Sequence, residues 1–277
     1  VIGPRATDIV ASMTHPNAEY IYGVTLPAMA GMFAQLYMDK YGITRDHLAD
    51  VSIKNQNNGL LNPYAHIQMR ITKEGILTHP QAHINNPVVA EPLHLYDCCP
   101  VSDGAAAVLL TTPEIAKKLK KPPISIAGFG QATDTHTLQE RDDPTDLKAV
   151  TIAAKQAFSM AGIKPGDIDV AELHDAFTIL EIAESEHVGF FKKGEGGEAL
   201  ASGATQIGGK IPINPSGGLK ARGHPVGATG TAQVVELVWQ LRGEAGERQV
   251  KDAANGFSVN FGGFGNNVLA FVLRREA

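Results

Sequence analysis

Between residues 124 and 277, apolar runs of strand length alternate with stretches of helical period, and this restricts the fold more than any other property of the chain. ISIAGFG (124–130) reads as a strand, and LKAVTIAAKQAFSMAG (147–162) as an amphipathic helix stopped by Gly162. IDVAELHD (168–175) and AFTILEIAESEHVGF (176–190) repeat the unit. A third helix is expected over GATGTAQVVELVWQLRG (227–243), with Val234, Leu237, Val238 and Leu241 on one face. FSVNFGG and NNVLAFVLRR then read as two strands around a glycine turn, a hairpin that makes the sheet mixed. The alternation predicts an α/β fold with helices on both faces of the sheet and functional groups at strand ends.

Residues 1–95 differ in texture. TLPAMAGMFAQLYMDKYG places Leu26, Met29, Phe33, Leu36 and Tyr37 at helical spacing with Gly42 as the stop, and its methionines read as core. Thr44 is the expected N-cap of the next segment, which leaves through a polar, Asn-rich exit ending at Pro63. The Pro- and His-rich stretch 63–95 reads as loop lying over something else. SDGAAAVLL (102–110) is a polar turn entering small apolar residues, and TTPEIAKKLKK (111–121) reads as a capped helix with proline near its start.

Bulk properties narrow the function. A formal charge of -5 and a pI near 6.1 give no basic footprint for nucleic acid, although Arg222 beside a glycine-rich loop leaves room for a local anion site. The only cysteines, Cys98 and Cys99, are adjacent, so no disulfide framework is implied and a reducing cytoplasm is expected. No apolar run reaches bilayer-spanning length, and the histidines do not fall into metal-ligand spacings. VIGPRATDIV starts without methionine or an obvious cap before Ile9, which reads as processing, a boundary or a fragment.

Three loops can carry chemistry. In ELHDAF (172–177), His174 and Asp175 sit at a strand-to-helix junction, where Asp175 reads equally as an N-cap and His174 as a hydrogen-bonded interior histidine. NPSGGLKARGHPVGATG (214–230) gathers five glycines around His224 just before a helix, a place to polarise a carbonyl or take a proton. A glycine-rich loop with an incidental histidine is the alternative, and the spacing fits neither the Rossmann nor the P-loop pattern. The turn in SVNFGGFGNN (258–267) is either a plain hairpin or a source of oxyanion-binding N–H groups.

GGLKARGHPVGATGTAQ resembles the thiolase signature around the catalytic histidine. HDAF is similar to the HDCF element of sterol-carrier-protein-type thiolases, SDGAAA to the family's NDGAAA, and VNFGGFGNNVLAF to its CxGGGxG ending. The likeness is strong over 96–277, fainter over 1–95, and extends to archaeal-type thiolases. It implies a layered α-β-α-β-α thiolase-like fold with mixed sheets covered by helices and the N-terminal half incomplete. Residues 1–95 would be a covering domain, 96–122 the end of the N-terminal half, and 123–277 the C-terminal domain.

By position, His224 matches the histidine that activates a nucleophilic cysteine and binds the thioester oxygen, His174 the group completing that oxyanion hole, and Gly262 a donor to a second hole. The glycine loop with Gly217, Gly218 and Arg222, together with Ser102, would contact coenzyme A. Acyl-CoA is the implied substrate, with no covalently bound cofactor. A homodimer, a chain carrying the N-terminal half, or a small OB-fold zinc-ribbon protein are the implied partners.

Two positions depart from the pattern. Asn260 stands where most thiolases have the acid/base cysteine, and Ala176 where the sterol-carrier type has one. Cys98 or Cys99 substitutes if the fold turns it inward; otherwise they pack as small hydrophobes. The acyl-accepting cysteine of a CxSG-like turn is expected outside this chain, leaving the chain alone inactive. A thiolase-fold retro-aldol lyase acting on a CoA ester and a non-catalytic subunit are the alternatives.

Overall fold

The computed structural model describes residues 4–276, with side chains from Asp8 onward; Val1, at which the expectation of processing, a boundary or a fragment falls, lies outside the described residues. Its main sheet has four strands, β3 (Ile124–Thr133), β4 (Val170–Glu172), β5 (Asn255–Gly262) and β6 (Asn267–Arg275), in the order β3-β6-β5-β4. The expected hairpin is β5–β6, β3 pairs antiparallel to β6, and β4 runs parallel to β5.

Helix α6 (Lys148–Ala161) covers one face. It comes so close to β3 that a Cβ at Gly128 or Gly130 would lie 2.1 or 2.0 Å from the carbonyl oxygens of Ala157 and Ala153. Phe158 of α6 stacks on Phe257 of β5 at 5.0 Å. Helix α10 (Thr229–Arg242) covers the other face, where Leu237 and Leu241 meet Val170 and Leu273. The central helix is α7 (Thr178–Val188), every residue of which is buried.

The N-terminal part adds α1 (Pro4–Ala11), α2 (Leu26–Tyr41), α3 (Arg45–Leu60), α4 (Ala82–Asn85), the two-stranded β1 (Val88–Ala90) and β2 (Leu93–His94), and α5 (Pro113–Ala116). Short helices α8 (Gly196–Ala201) and α9 (Gly218–Ala221) lie in the loops after α7. Thr25 caps α2 by accepting from the Ala28 N–H, and Gly42 ends it at φ 71°. The buried stripe of α2 is Met29, Phe33 and Tyr37 with Ala30 and Ala34. Leu36 and Met32, expected inward, are exposed because the covered arc is narrower than the apolar one.

Four other expectations are corrected. The Asn-rich segment after Thr44 is not an exit: α3 continues through it to Leu60, and Lys54, Asn55, Gln56 and Asn58 are buried. Lys54 donates to the Ile213 carbonyl, Asn55 to Asp175 and Glu181, and Asn58 to the Asn214 carbonyl, so its polar residues answer protein partners rather than water. The helix expected over 111–121 is one turn, α5; Thr112 makes no side-chain cap, Ile115 and Leu119 are exposed, and the lysines at 117, 118, 120 and 121 repel at helical spacing. Strand β4 stops at Glu172 rather than 175, because the next N–H groups donate to side chains, Leu173 to Asn214 Oδ1 and His174 to Glu184 Oε2. Asp175 does not cap α7, whose N-cap is Phe177 without a side-chain bond.

Candidate active site

Asp175 is fully buried, and its two oxygens accept from the Leu219 N–H at 2.7 Å and from Asn55 Nδ2 at 2.7 Å. It therefore fastens the glycine-rich loop and α3 to the end of β4. Gly218, at φ +59°, lies against this carboxylate so closely that a Cβ would meet Oδ2 at 2.3 Å. Burial, with the neighbouring Glu181 charge, pushes the Asp175 carboxyl up to about 6. Lys54 and Glu181 form a buried ion pair at 2.9 Å beneath it.

This clamp brings His174 and His224 together, with ring centroids 5.1 Å apart and planes at 86°. His174 stacks on Phe261 of β5 at 5.2 Å. His224 Nδ1 lies 2.7 Å from Thr229 Oγ1, whose own proton goes to the Pro225 carbonyl at 3.0 Å. The hydroxyl has one proton, so it must accept from Nδ1–H, which leaves Nε2 of His224 with its lone pair free. Burial first, then Arg222, lowers the His224 pKa to about 4. Burial, His224 and Arg222 hold His174 well below the usual imidazole range. Both rings are neutral at pH 7.

The pair opens on a cavity of about 150 Å³, otherwise mostly apolar, that also meets Phe177, Phe264, Cys98 and Cys99. The fold thus turns both cysteines inward, and the Cys99 N–H donates to the Ala176 carbonyl. Burial pushes the Cys98 thiol up to about 11 and the Cys99 thiol to about 12, the charge of Lys220 opposing the shift, so neither is a ready thiolate.

Asn260, at the mouth of the β5–β6 turn, reaches His174 Nδ1 at 3.1 Å and Gln233 Oε1 at 3.0 Å. Gly262 ends β5 beside it, and its neighbour Gly263 lines the cavity. Ser102 Oγ accepts from the His224 N–H at 3.2 Å. Gly217 and Gly218 are buried against Gly59 and Asp175, away from the cavity lining. Arg222 is no surface charge: it pairs with buried Glu172 at 3.3 Å, and its Nη2 has no partner among the described residues. Burial raises the Glu172 carboxyl to about 7, against the pull of Arg222.

Sequence reading missed Thr229 and Gln233. A signal existed: Thr229, Gln233, Glu236 and Gln240 form a polar stripe at helical period on α10, and all four are buried. It also missed Glu184, which accepts from the His174 N–H through Oε2 while Oε1 has no partner among the described residues. Burial raises that carboxyl well above its ordinary value. Among the described residues no group of three or more His, Cys, Asp or Glu could hold a metal ion, and no helix is long and apolar enough to cross a membrane.

Residues 130–275 match the domain family described as thiolase C-terminal domain-like, and residues 4–114 match the thiolase N-terminal domain. The acetyl-CoA acetyltransferase of Methanothermobacter thermautotrophicus is 46% identical over 269 residues, covering 97% of this chain and 68% of that protein. Sterol carrier protein 2 of Bos taurus is 37% identical over 241 residues, covering 85% of this chain and 43% of that protein. Among solved structures, the Ltp2-ChsH2(DUF35) aldolase superposes with a TM-score of 0.81 at 27% identity, over 99% of this chain and 68% of that one. A monomeric SCP2-thiolase-like protein type 1 from Mycobacterium smegmatis, at 18% identity and TM-score 0.69, covers 91% of this chain and 52% of that one and shares the fold.

Proposed function

The chain belongs to the thiolase family, and on that premise we propose that it carries the base and oxyanion half of a coenzyme A-dependent acyltransferase that cleaves or forms a 3-oxoacyl-CoA. The observation that carries this reading is the His174–His224 pair facing one cavity, with the free Nε2 of His224 as its base. Cys98 and Cys99 are held as thiols by burial, so the acyl-accepting thiolate is assigned to polypeptide outside these 277 residues.

In cleavage, Nε2 of His224 takes the proton of that thiol, and the sulfur attacks the C3 carbonyl of the substrate. His174 and the protonated His224 face the oxyanion. The C2–C3 bond then breaks, and the departing enolate of acetyl-CoA takes the proton held on His224. The thiol of a second coenzyme A next gives its proton to His224 and attacks the acyl-enzyme. The released enzyme thiolate takes that proton back. One base balances every step, which suits a site where Asn260, unable to exchange protons near pH 7, stands in place of a cysteine. We assign coenzyme A contact to the side of the cavity where Ser102 holds the His224 backbone, with Gly262 at the second oxyanion position; Arg222, Gly217 and Gly218 serve this reading from inside, by shaping the loop that carries His224. A cytoplasmic role in acyl-CoA and lipid metabolism, as a homodimer or in a complex that includes a zinc-ribbon partner, completes the proposal. So does the division of the chain at 95 and 122. The two-component aldolase supports a partner.

A second reading is retro-aldol cleavage of a CoA ester, favoured by the likeness to that aldolase and by the lack of a ready thiolate. The test incubates these 277 residues together with the polypeptide that carries the acyl-accepting thiol, as full-length enzyme or complex, with a 3-oxoacyl-CoA and coenzyme A while following thioester and free thiol. Thiol-dependent conversion lost in His224→Ala supports the acyltransferase. Turnover that survives His224→Ala refutes the assignment. A free aldehyde or ketone appearing from a 3-hydroxyacyl-CoA without thiol consumption favours the lyase.

A further inference from the structure

Gln233 projects from α10 toward the sheet, and its Nε2 lies 3.0–3.3 Å from three carbonyl oxygens, those of Glu172, Leu173 and Val259. Three acceptors at one atom fix that atom as the amide nitrogen, so Oε1 is the end that faces Asn260. Asn260 must then present its NH2 group. One of its protons goes to Gln233 Oε1 at 3.0 Å, and the other points at His174 Nδ1, 3.1 Å away. An N–H aimed at a ring nitrogen requires a lone pair there, which puts the proton of neutral His174 on Nε2.

We propose that Asn260 is a positioning residue that locks His174 in the tautomer protonated on Nε2, so that the two histidines at the cavity carry opposite offices. His174 is the donor and His224, protonated on Nδ1 by its bond to Thr229, is the base. The replacement of a cysteine by Asn260 is therefore an exchange of a proton carrier for a fixed dipole. Without it either ring nitrogen of His174 can hold the proton, and the oxyanion position loses its donor for part of the time. The catalytic meaning rests on the acyltransferase reading above; the tautomer assignment does not.

The experiment is long-range 1H–15N correlation of the full chain labelled with 15N-histidine, near pH 7, with His174→Ala and His224→Ala assigning the two rings. The expected spectrum has His174 protonated on Nε2 and His224 on Nδ1. His174 protonated on Nδ1, or averaged between tautomers, overturns the proposal from the unmutated protein alone, whatever the turnover assays give. Asn260→Leu removes the donor and is expected to give an averaged His174. Asn260→Asp places an acceptor opposite Nδ1 and is expected to move the proton there. A single Nε2–H signal surviving in both folded variants refutes the lock. Where 3-oxoacyl-CoA turnover is measurable, Asn260→Asp should lower kcat by roughly 10²–10³-fold with KM nearly unchanged.

Discussion

Replacing Lys54 by methionine tests whether helix α3 is held to the loops of the candidate site by buried polar bonds. Lys54 and Glu181 are each 3% exposed, their charged atoms are 2.9 Å apart, and the ammonium also donates to the Ile213 carbonyl at 2.6 Å. Methionine fills similar volume but leaves Glu181 Oε1 without its cation, while Oε2 keeps the amide donors of Asn55 and Asn214. Breaking a buried pair by removing one partner costs about 3–5 kcal/mol, because the remaining charge is uncompensated. With an unfolding entropy of roughly 2.1 cal/mol/K per residue over 277 residues, a loss of 4 kcal/mol lowers Tm by about 7 °C. Calorimetry reads this directly, and the fluorescence of the single tryptophan, Trp239, gives an independent transition. Adding Glu181→Gln removes the stranded charge and should recover about half of the loss. A Lys54→Met variant within 1 kcal/mol of the parent, or a double variant no better than the single, refutes the account and means that water reaches Glu181.

Three further outcomes follow from the same geometry. Gly218→Ala adds a methyl that overlaps the Asp175 carboxylate and forces a left-handed backbone on alanine, so stability should fall by at least about 1–2 kcal/mol in urea unfolding. His224 titrates near 4 when folded against 6.5 when free, so the unfolded chain binds its proton first and stability is lost as pH falls from about 6.5 to 4. His224→Gln should remove about 1.4 kcal/mol per pH unit of that slope, read by comparing unfolding of the two proteins at matched pH. Cys98, with its pKa near 11, has a thiolate fraction on the order of 10⁻³ at pH 8, so iodoacetamide should modify it far more slowly than free cysteine, and comparable rates by mass spectrometry would contradict its burial.

The C-terminal fold was legible because its elements are set by local period. Helices α6, α7 and α10 and the β5–β6 hairpin lie within a few residues of where apolar spacing and glycine stops place them. The segment 45–60 was misread because a helix that buries asparagine, glutamine and lysine has the composition of a loop; its partners, Glu181, Ile213 and Asn214, are more than 120 residues away. Leu109 and Leu110 are the reverse case, apolar by sequence and exposed on the described chain.

The site divides along the same line. A histidine beside five glycines is visible as a motif, but the glycines do not all serve the same end. Gly218 makes room for Asp175, an internal strut, and the roles of the histidines come from hydroxyl and amide groups that no motif names. Thr229 and Gln233 lie four residues apart on the buried face of α10. One sets the proton on His224 and the other, through Asn260, sets it on His174. Two chemically identical rings are thereby differentiated by one turn of one helix. On the proposed assignment, that turn is where the difference between a donor and a base is stored, and substitutions there should alter chemistry while leaving the cavity's shape intact.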